Sequence, residues 1–235
     1  KRQGFDGAIL FSDILIVPHA MGQGLTFAAG EGPHLAPTLL EVGLDSFTPA
    51  FERFEAVYET VRLTRQQIGP EVTMLGFAGS PWTVATYMIA GEGSKDQGPA
   101  RLLAYRDPAH LQAIIDAIVE VSVTYLRGQI DAGAEAVQLF DSWAGSLAPD
   151  QFEKWVVAPN AAITAKLKET HPDTPVIGFP KGAGAKLPAY ARETGVDAVG
   201  LDETLDPAWA HASLPAGMPV QGNVNPLPPE AGRNA

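Results

Sequence analysis

Ala136-Val137-Gln138-Leu139-Phe140-Asp141-Ser142 is the stretch on which the fold turns. Its apolar residues do not alternate strictly with polar ones. They run almost unbroken and finish in two polar groups. Strands covered by helices on both faces of a parallel sheet have this character. Five other runs share the design: Ala8-Ile9-Leu10-Phe11-Ser12-Asp13, Thr73-Met74-Leu75-Gly76-Phe77-Ala78-Gly79, Pro175-Val176-Ile177-Gly178-Phe179-Pro180-Lys181, Ala198-Val199-Gly200-Leu201-Asp202 and Pro219-Val220-Gln221-Gly222-Asn223.

Helical patterns lie between them. Phe51 to Ile68 carries Phe51, Phe54, Val57, Val61 and Arg65 on one face. Asp107-Pro108 opens a longer helix, with Asp as N-cap and Pro at the first helical position. Its apolar stripe runs Leu111, Ile114, Ile115, Ile118, Val121 and Tyr125, and Gly133 follows near its end. Pro149-Asp150 starts another helix, reaching about Lys168, and shorter ones cover Leu187 to Glu193 and Pro207 to Ser213. Strands alternating with helices mean an α/β fold with a mainly parallel sheet. No Gly-x-Gly-x-x-Gly opens a helix after the first strand, so a dinucleotide fold has no support. Polar groups at the C-terminal ends of several strands favour a (β/α)₈ TIM barrel, because barrel active sites are assembled there. With about six of eight strands present, the barrel is incomplete. Residues 1–235 read as one domain. Gly91 to Gly98 lacks aliphatic anchors and is expected to be a mobile loop. Leu227 to Ala235 reads as a non-native or disordered tail.

Cysteine is absent, which excludes disulfides, thiolate metal sites and a cysteine nucleophile. His19, His34, His110, His171 and His211 share no helix face at metal-ligand spacing, so no metal site is expected. A net charge of −11 argues against nucleic acid as a partner. Lys1-Arg2-Gln3-Gly4 has no apolar stretch behind it, and no run approaches the ~20 apolar residues that span a bilayer, so neither a secretory signal nor a membrane partner is expected.

Three motifs carry a resemblance. Phe11-Ser12-Asp13-Ile14-Leu15, Gly76-Phe77-Ala78-Gly79-Ser80-Pro81-Trp82-Thr83 with Thr86-Tyr87-Met88, and Gln138-Leu139-Phe140-Asp141-Ser142-Trp143-Ala144-Gly145 resemble the uroporphyrinogen decarboxylase family. Gly200-Leu201-Asp202 and Gln221-Gly222-Asn223 follow in the family's order, and the likeness covers roughly residues 4 to 226. It implies a cofactor-free, cytoplasmic (β/α)₈ enzyme, a homodimer when full length, that converts uroporphyrinogen III to coproporphyrinogen III in porphyrin and heme biosynthesis. Asp13, Tyr87 and Ser142 fall on the family's functional aspartate, tyrosine and serine. Loss of carbon dioxide from a pyrrole acetate needs an electron sink, which protonation of the ring supplies. A carboxylate beneath the macrocycle would stabilise the resulting cation and accept hydrogen bonds from the pyrrole N–H groups. Asp13 suits that task, with Tyr87 and Ser142 orienting substrate carboxylates.

Structural explanations compete at each position. Asp13 follows a strand and can cap a turn. Tyr87 can be a packing residue, and Ser142 a turn serine. Asp141 reads as structural. Lys181 and Asp202 can pair or shape the cleft, and Trp82, Trp143 and Trp155 read as packing residues.

The chain also departs from the family pattern. The Arg-Gln-x-Gly-Arg-Tyr motif that grips substrate carboxylates is absent, and Arg2-Gln3 lies too close to the second-strand motif to be it. So is the His-Gly motif of the eighth strand, and the last run continues Gly222-Asn223-Val224-Asn225-Pro226 where the family reads Gly-Asn-x-Asp-Pro. Two unpaired edges of a parallel sheet are therefore expected, and the chain alone is expected to be inactive or prone to aggregate. Two other functions remain: an inactive remnant that binds tetrapyrrole or a partner, and a corrinoid-dependent methyltransferase, whose zinc site would lack its cysteines.

Overall fold

The computed structural model describes residues 5–10, 12–28, 32–94 and 96–224. Arg2-Gln3, Phe11, Asn225-Pro226 and the expected tail from Leu227 to Ala235 lie outside them. Six parallel strands form one sheet: β1 (Gly7–Ile9), β4 (Thr73–Gly79), β5 (Ala136–Asp141), β6 (Val176–Pro180), β7 (Ala198–Gly200) and β8 (Val220–Gln221). Each of the six expected strands is present, and they pair in the order of the chain. Helices occupy the crossovers, as in a TIM barrel, but among the described residues the sheet does not close. β1 and β8 are its edges, and Ile9 and Val220 there are about half exposed.

Alternate residues of β5 separate the two faces. Val137, Leu139 and Asp141 are fully buried against the helices. The concave face carries Phe77, Phe140 and Phe179, whose rings meet edge-on at centroid distances of 5.5 and 5.7 Å. Such T-shaped contacts align the positive edge of one ring with the negative face of the next. The main core lies on the other side, where α4 (Pro81–Ala90), α6 (Pro108–Asp131) and α8 (Ala158–Thr170) pack around Trp82, Tyr125 and Trp155. α6 is long and apolar enough to cross a bilayer, yet Leu111, Ile114, Ile115 and Ile118 on its apolar stripe are buried in that core. Its Gln129 amide bridges both backbone groups of Phe77, at 3.0 Å each, just past the point where β1 stops pairing with β4.

Helix starts follow local chemistry. Asp107 accepts from the His110 amide, as an N-cap should. α9 (Leu187–Glu193) and α10 (Pro207–Ser213) have the expected bounds. The helix expected from Pro149 to Lys168 is instead α7 (Pro149–Phe152) and α8 joined by a π turn, Glu153–Val157. Pro159 has no N–H to donate to the preceding turn, and the wider winding absorbs that gap. Phe51–Phe54 forms a 3₁₀ turn ahead of α3 (Glu55–Gln67).

The segment expected to be a mobile loop has no regular structure over residues 91–94 and 96–97. Gln97 is buried, its backbone N–H bonds the Ser94 hydroxyl at 2.9 Å, and Gly98 already opens α5 (Gly98–Arg106). Local side-chain hydrogen bonds, in place of aliphatic anchors, link its described residues. A second addition is an antiparallel pair, β2 (Gly24–Ala28) and β3 (Gly32–Ala36), placed after the short helix α1 (Ile16–Met21). β3 docks on the end of α4 through Leu35 N–H to Gly91 O at 2.7 Å.

Candidate active site at the strand ends

Asp13 leaves the C-terminal end of β1 and enters α1. One carboxylate oxygen accepts the Leu15 amide at 2.8 Å, so the turn-capping explanation is correct as far as it goes. The same half-buried side chain also lines a hollow of about 240 Å³ with Ser12, Pro33 and Tyr87. The cap fixes the carboxylate and leaves it beside open space. Pro33 brings the β2–β3 pair into the wall of this hollow, a contribution the sequence did not reveal.

Tyr87 is one of the few residues of α4 that is not buried. Ser80 precedes the helix and Pro81 sits at its first turn, which suits a helix start. Burial pushes the Tyr87 phenol above its ordinary pKa; the Trp143 indole opposes this, and the Asp13 charge adds to it. Among the described residues the buried Trp143 indole N–H makes no hydrogen bond of normal geometry, so it acts on Tyr87 as a nearby N–H dipole.

Ser142 is exposed just past β5. It lines a second hollow of about 250 Å³ with Ile9, Ile14, Phe77 and Phe140. Ile14 borders both hollows. It can sit there because Gly79 has no side chain: a Cβ on Gly79 would lie 2.9 Å from the Ile14 Cβ. A third hollow of about 260 Å³ shares Phe140 and reaches Lys181, Asp202 and Gln221. Asp13 and Tyr87 therefore share one hollow, and Ser142 lines its neighbour. The volumes are of the order of small-ligand sites, ~300–1,000 Å³ when adjoining.

Lys181 does not pair with Asp202; its ammonium lies 3.7 Å from Glu203. Asp202 organises the turn instead, accepting from the Gly182 amide at 2.8 Å and from the Thr204 amide at 2.9 Å. Burial alone would raise its pKa, but those donors, the Thr204 hydroxyl and the Lys181 charge outweigh it and leave the carboxyl below its ordinary value.

Asp141 holds more than its place in the sequence suggested. It is fully buried, and the Thr83 hydroxyl donates to it at 2.6 Å. Burial pushes the carboxyl up to about 7, against the pull of donors at Thr83 and Trp143. Tyr190 nearby is raised first by burial and then by the Asp141 charge. A folded carboxyl with this affinity holds its proton where an unfolded one, near ~3.9, has lost it. The native state then binds more protons between pH ~4 and ~7, so stability falls as pH rises through that window. Asp141→Asn is expected to remove up to about 4 kcal/mol of this pH dependence. Denaturation midpoints from pH 4 to 7 check it; parallel curves for the two proteins would contradict it.

An open α/β barrel with a carboxylate, a phenol and a hydroxyl around adjoining hollows at its strand ends defines the class: a barrel with an enzyme-like site. The family follows from comparison. The model of the family "Uroporphyrinogen decarboxylase (URO-D)" matches residues 1–232, and the chain belongs to that family. A protein named uroporphyrinogen decarboxylase from Erythrobacter litoralis is 70% identical over all 235 residues, which make up 69% of its own length. One of the same name from Novosphingobium aromaticivorans is 66% identical, covering 97% of this chain and 67% of the relative. Another, from Brucella anthropi, is 50% identical over the full chain and 69% of the relative. Among solved structures, a methyltransferase from Methanosarcina mazei superposes with a TM-score of 0.76 over 95% of this chain and 66% of its own, at 17% identity. That likeness speaks to the fold alone.

Proposed function

We propose that the chain carries strand-end machinery for cofactor-independent decarboxylation of the four acetate side chains of uroporphyrinogen III, giving coproporphyrinogen III in porphyrin synthesis. The observation that carries it is the hollow shared by Asp13 and Tyr87, bordered through Ile14 by that of Ser142. In each round a pyrrole carbon takes up a proton and the ring becomes cationic. The bond to the acetate carboxylate then breaks, its electrons flow into the ring, and carbon dioxide leaves. The exocyclic carbon is protonated to a methyl group, and the ring carbon gives its proton back. The net change is one acetate and one proton to one methyl and one carbon dioxide. Asp13 stabilises the cation and accepts from pyrrole N–H groups, work for which a preorganised carboxylate in a partly enclosed site is suited. Tyr87 and Ser142 donate to substrate carboxylates. A homodimer in the cytoplasm, with neither nucleic acid nor membrane as partner, accompanies this function.

The test is anaerobic turnover of uroporphyrinogen III by the chain alone and by a chain extended with the flanking segments of the Erythrobacter litoralis relative. The extended chain is expected to form coproporphyrinogen, and the chain alone little or none. No product from the extended chain would contradict the proposal. Tyr87→Phe is expected to lower kcat/KM about 10-fold, the worth of one hydrogen bond to a charged group; an unchanged value removes Tyr87 from substrate binding. A tetrapyrrole-binding scaffold without turnover is the second reading, favoured by the two sheet edges left open among the described residues.

A further inference from the structure

The turn after β5 is held from three sides by hydrogen bonds, two of which come from consecutive residues of α4. The Trp143 amide donates to Thr83 Oγ1 at 3.1 Å, and the Trp82 indole N–H donates to the Trp143 carbonyl at 3.3 Å. Gly145 N–H reaches the Lys181 carbonyl at 2.9 Å, and the Gly145 Cα sits so close to Gly182 that a Cβ would meet its carbonyl oxygen at 2.6 Å. Thr83 Oγ1 accepts from the Trp143 amide and gives its own proton to Asp141 Oδ1 at 2.6 Å. A buried acceptor thus fixes the hydroxyl rotor so that its lone pair faces the Trp143 amide. Tyr87 lies one helical turn beyond Thr83 on the same face of α4.

We propose that Asp141 and Thr83 are a positioning pair, a carboxyl–hydroxyl–amide chain that locks the turn carrying Ser142 and Trp143 to the helix carrying Tyr87. The substrate then meets the two groups at a preset spacing. A buried polar pair replaced by apolar groups of the same shape is close to neutral where no third group depends on it. What an apolar pair cannot do is receive the Trp143 amide. A carboxyl at the last residue of β5 is the group best situated to set the conformation of the residue after it. The consequence for substrate rests on the decarboxylase function proposed above; the lock itself does not.

Thr83→Val, Thr83→Ser, Asp141→Ala and the double variant Thr83→Val/Asp141→Ala test it. The first readout is hydrogen exchange of the Trp143 amide in the 235-residue chain. Thr83→Val should speed that exchange about 10-fold or more through loss of its acceptor, and Thr83→Ser should restore it. Asp141→Ala should act in the same direction, and the double variant should exchange no faster than the faster single one, as for two links of one chain. The second readout is steady-state turnover in the extended chain, where KM should rise about 10-fold with kcat changed far less, the pattern of lost uniform binding. Unchanged Trp143 exchange in Thr83→Val, or no rescue by Thr83→Ser, overturns the positioning pair. Equal falls in kcat and kcat/KM with KM unmoved would overturn its role toward substrate. An unsubstituted extended chain without turnover defeats the decarboxylase function instead, and the exchange readout still decides the lock.

Discussion

Asp13→Asn is expected to lower kcat about 10²-fold or more in the extended chain while leaving the fold intact. The two side chains have nearly the same shape, and an amide oxygen can still accept the Leu15 N–H that now caps the turn at 2.8 Å. Only the charge is lost. Preorganised groups facing a developing charge are worth about 10²–10³-fold each, because they do not have to reorganise as the reaction proceeds. The hollow is partly enclosed, with Pro33 and Leu15 in its wall, so water replaces the missing charge poorly. Single-turnover carbon dioxide release under anaerobic conditions measures the effect. A decrease of less than threefold would remove Asp13 from the chemistry and leave it as a turn cap.

The second large effect is on stability. Trp82 on α4 is fully buried in the main core, and its indole N–H holds the Trp143 carbonyl. Trp82→Ala is expected to cost about 3–5 kcal/mol through lost contact and an unfilled cavity. Because Trp82 also tethers the turn carrying Ser142, uroporphyrinogen affinity should weaken in whatever fraction stays folded. Denaturant titration followed by far-UV circular dichroism gives the first quantity. A midpoint change worth less than about 1 kcal/mol would mean that the site relaxes around the truncation, the behaviour of sites that collapse well.

The six sheet strands were legible because burial on both faces demands aliphatic runs, and the polar residues that end them mark the barrel mouth. α9 and α10 were legible through Pro at their starts. The β2–β3 pair was not. Phe27 on it is 65% exposed, and Gly24 and Pro33 interrupt any alternation, so no half-buried pattern exists to read. Its order comes from docking on α4, a contact distant in sequence. The burial of Gln97 and its bond to Ser94 within that loop were not legible for a related reason, since a backbone hydrogen bond to a serine carries no hydropathy signal. At the candidate site, Asp13, Tyr87 and Ser142 were singled out by motif, and they line adjoining hollows. Asp141 and Thr83 lie inside those motifs, but their partnership spans 58 positions and only the fold reveals it. A polar residue closing an apolar strand was the available hint.

The central claim is that the tetrapyrrole lies over Asp13. A crystal structure of the extended chain with coproporphyrinogen bound anaerobically tests it most directly. The Asp13 carboxylate should lie about 2.7–3.2 Å from pyrrole N–H groups, with Tyr87 and Ser142 on carboxylates of the same molecule. A macrocycle seated elsewhere, with Asp13 turned to bulk water, would contradict the account.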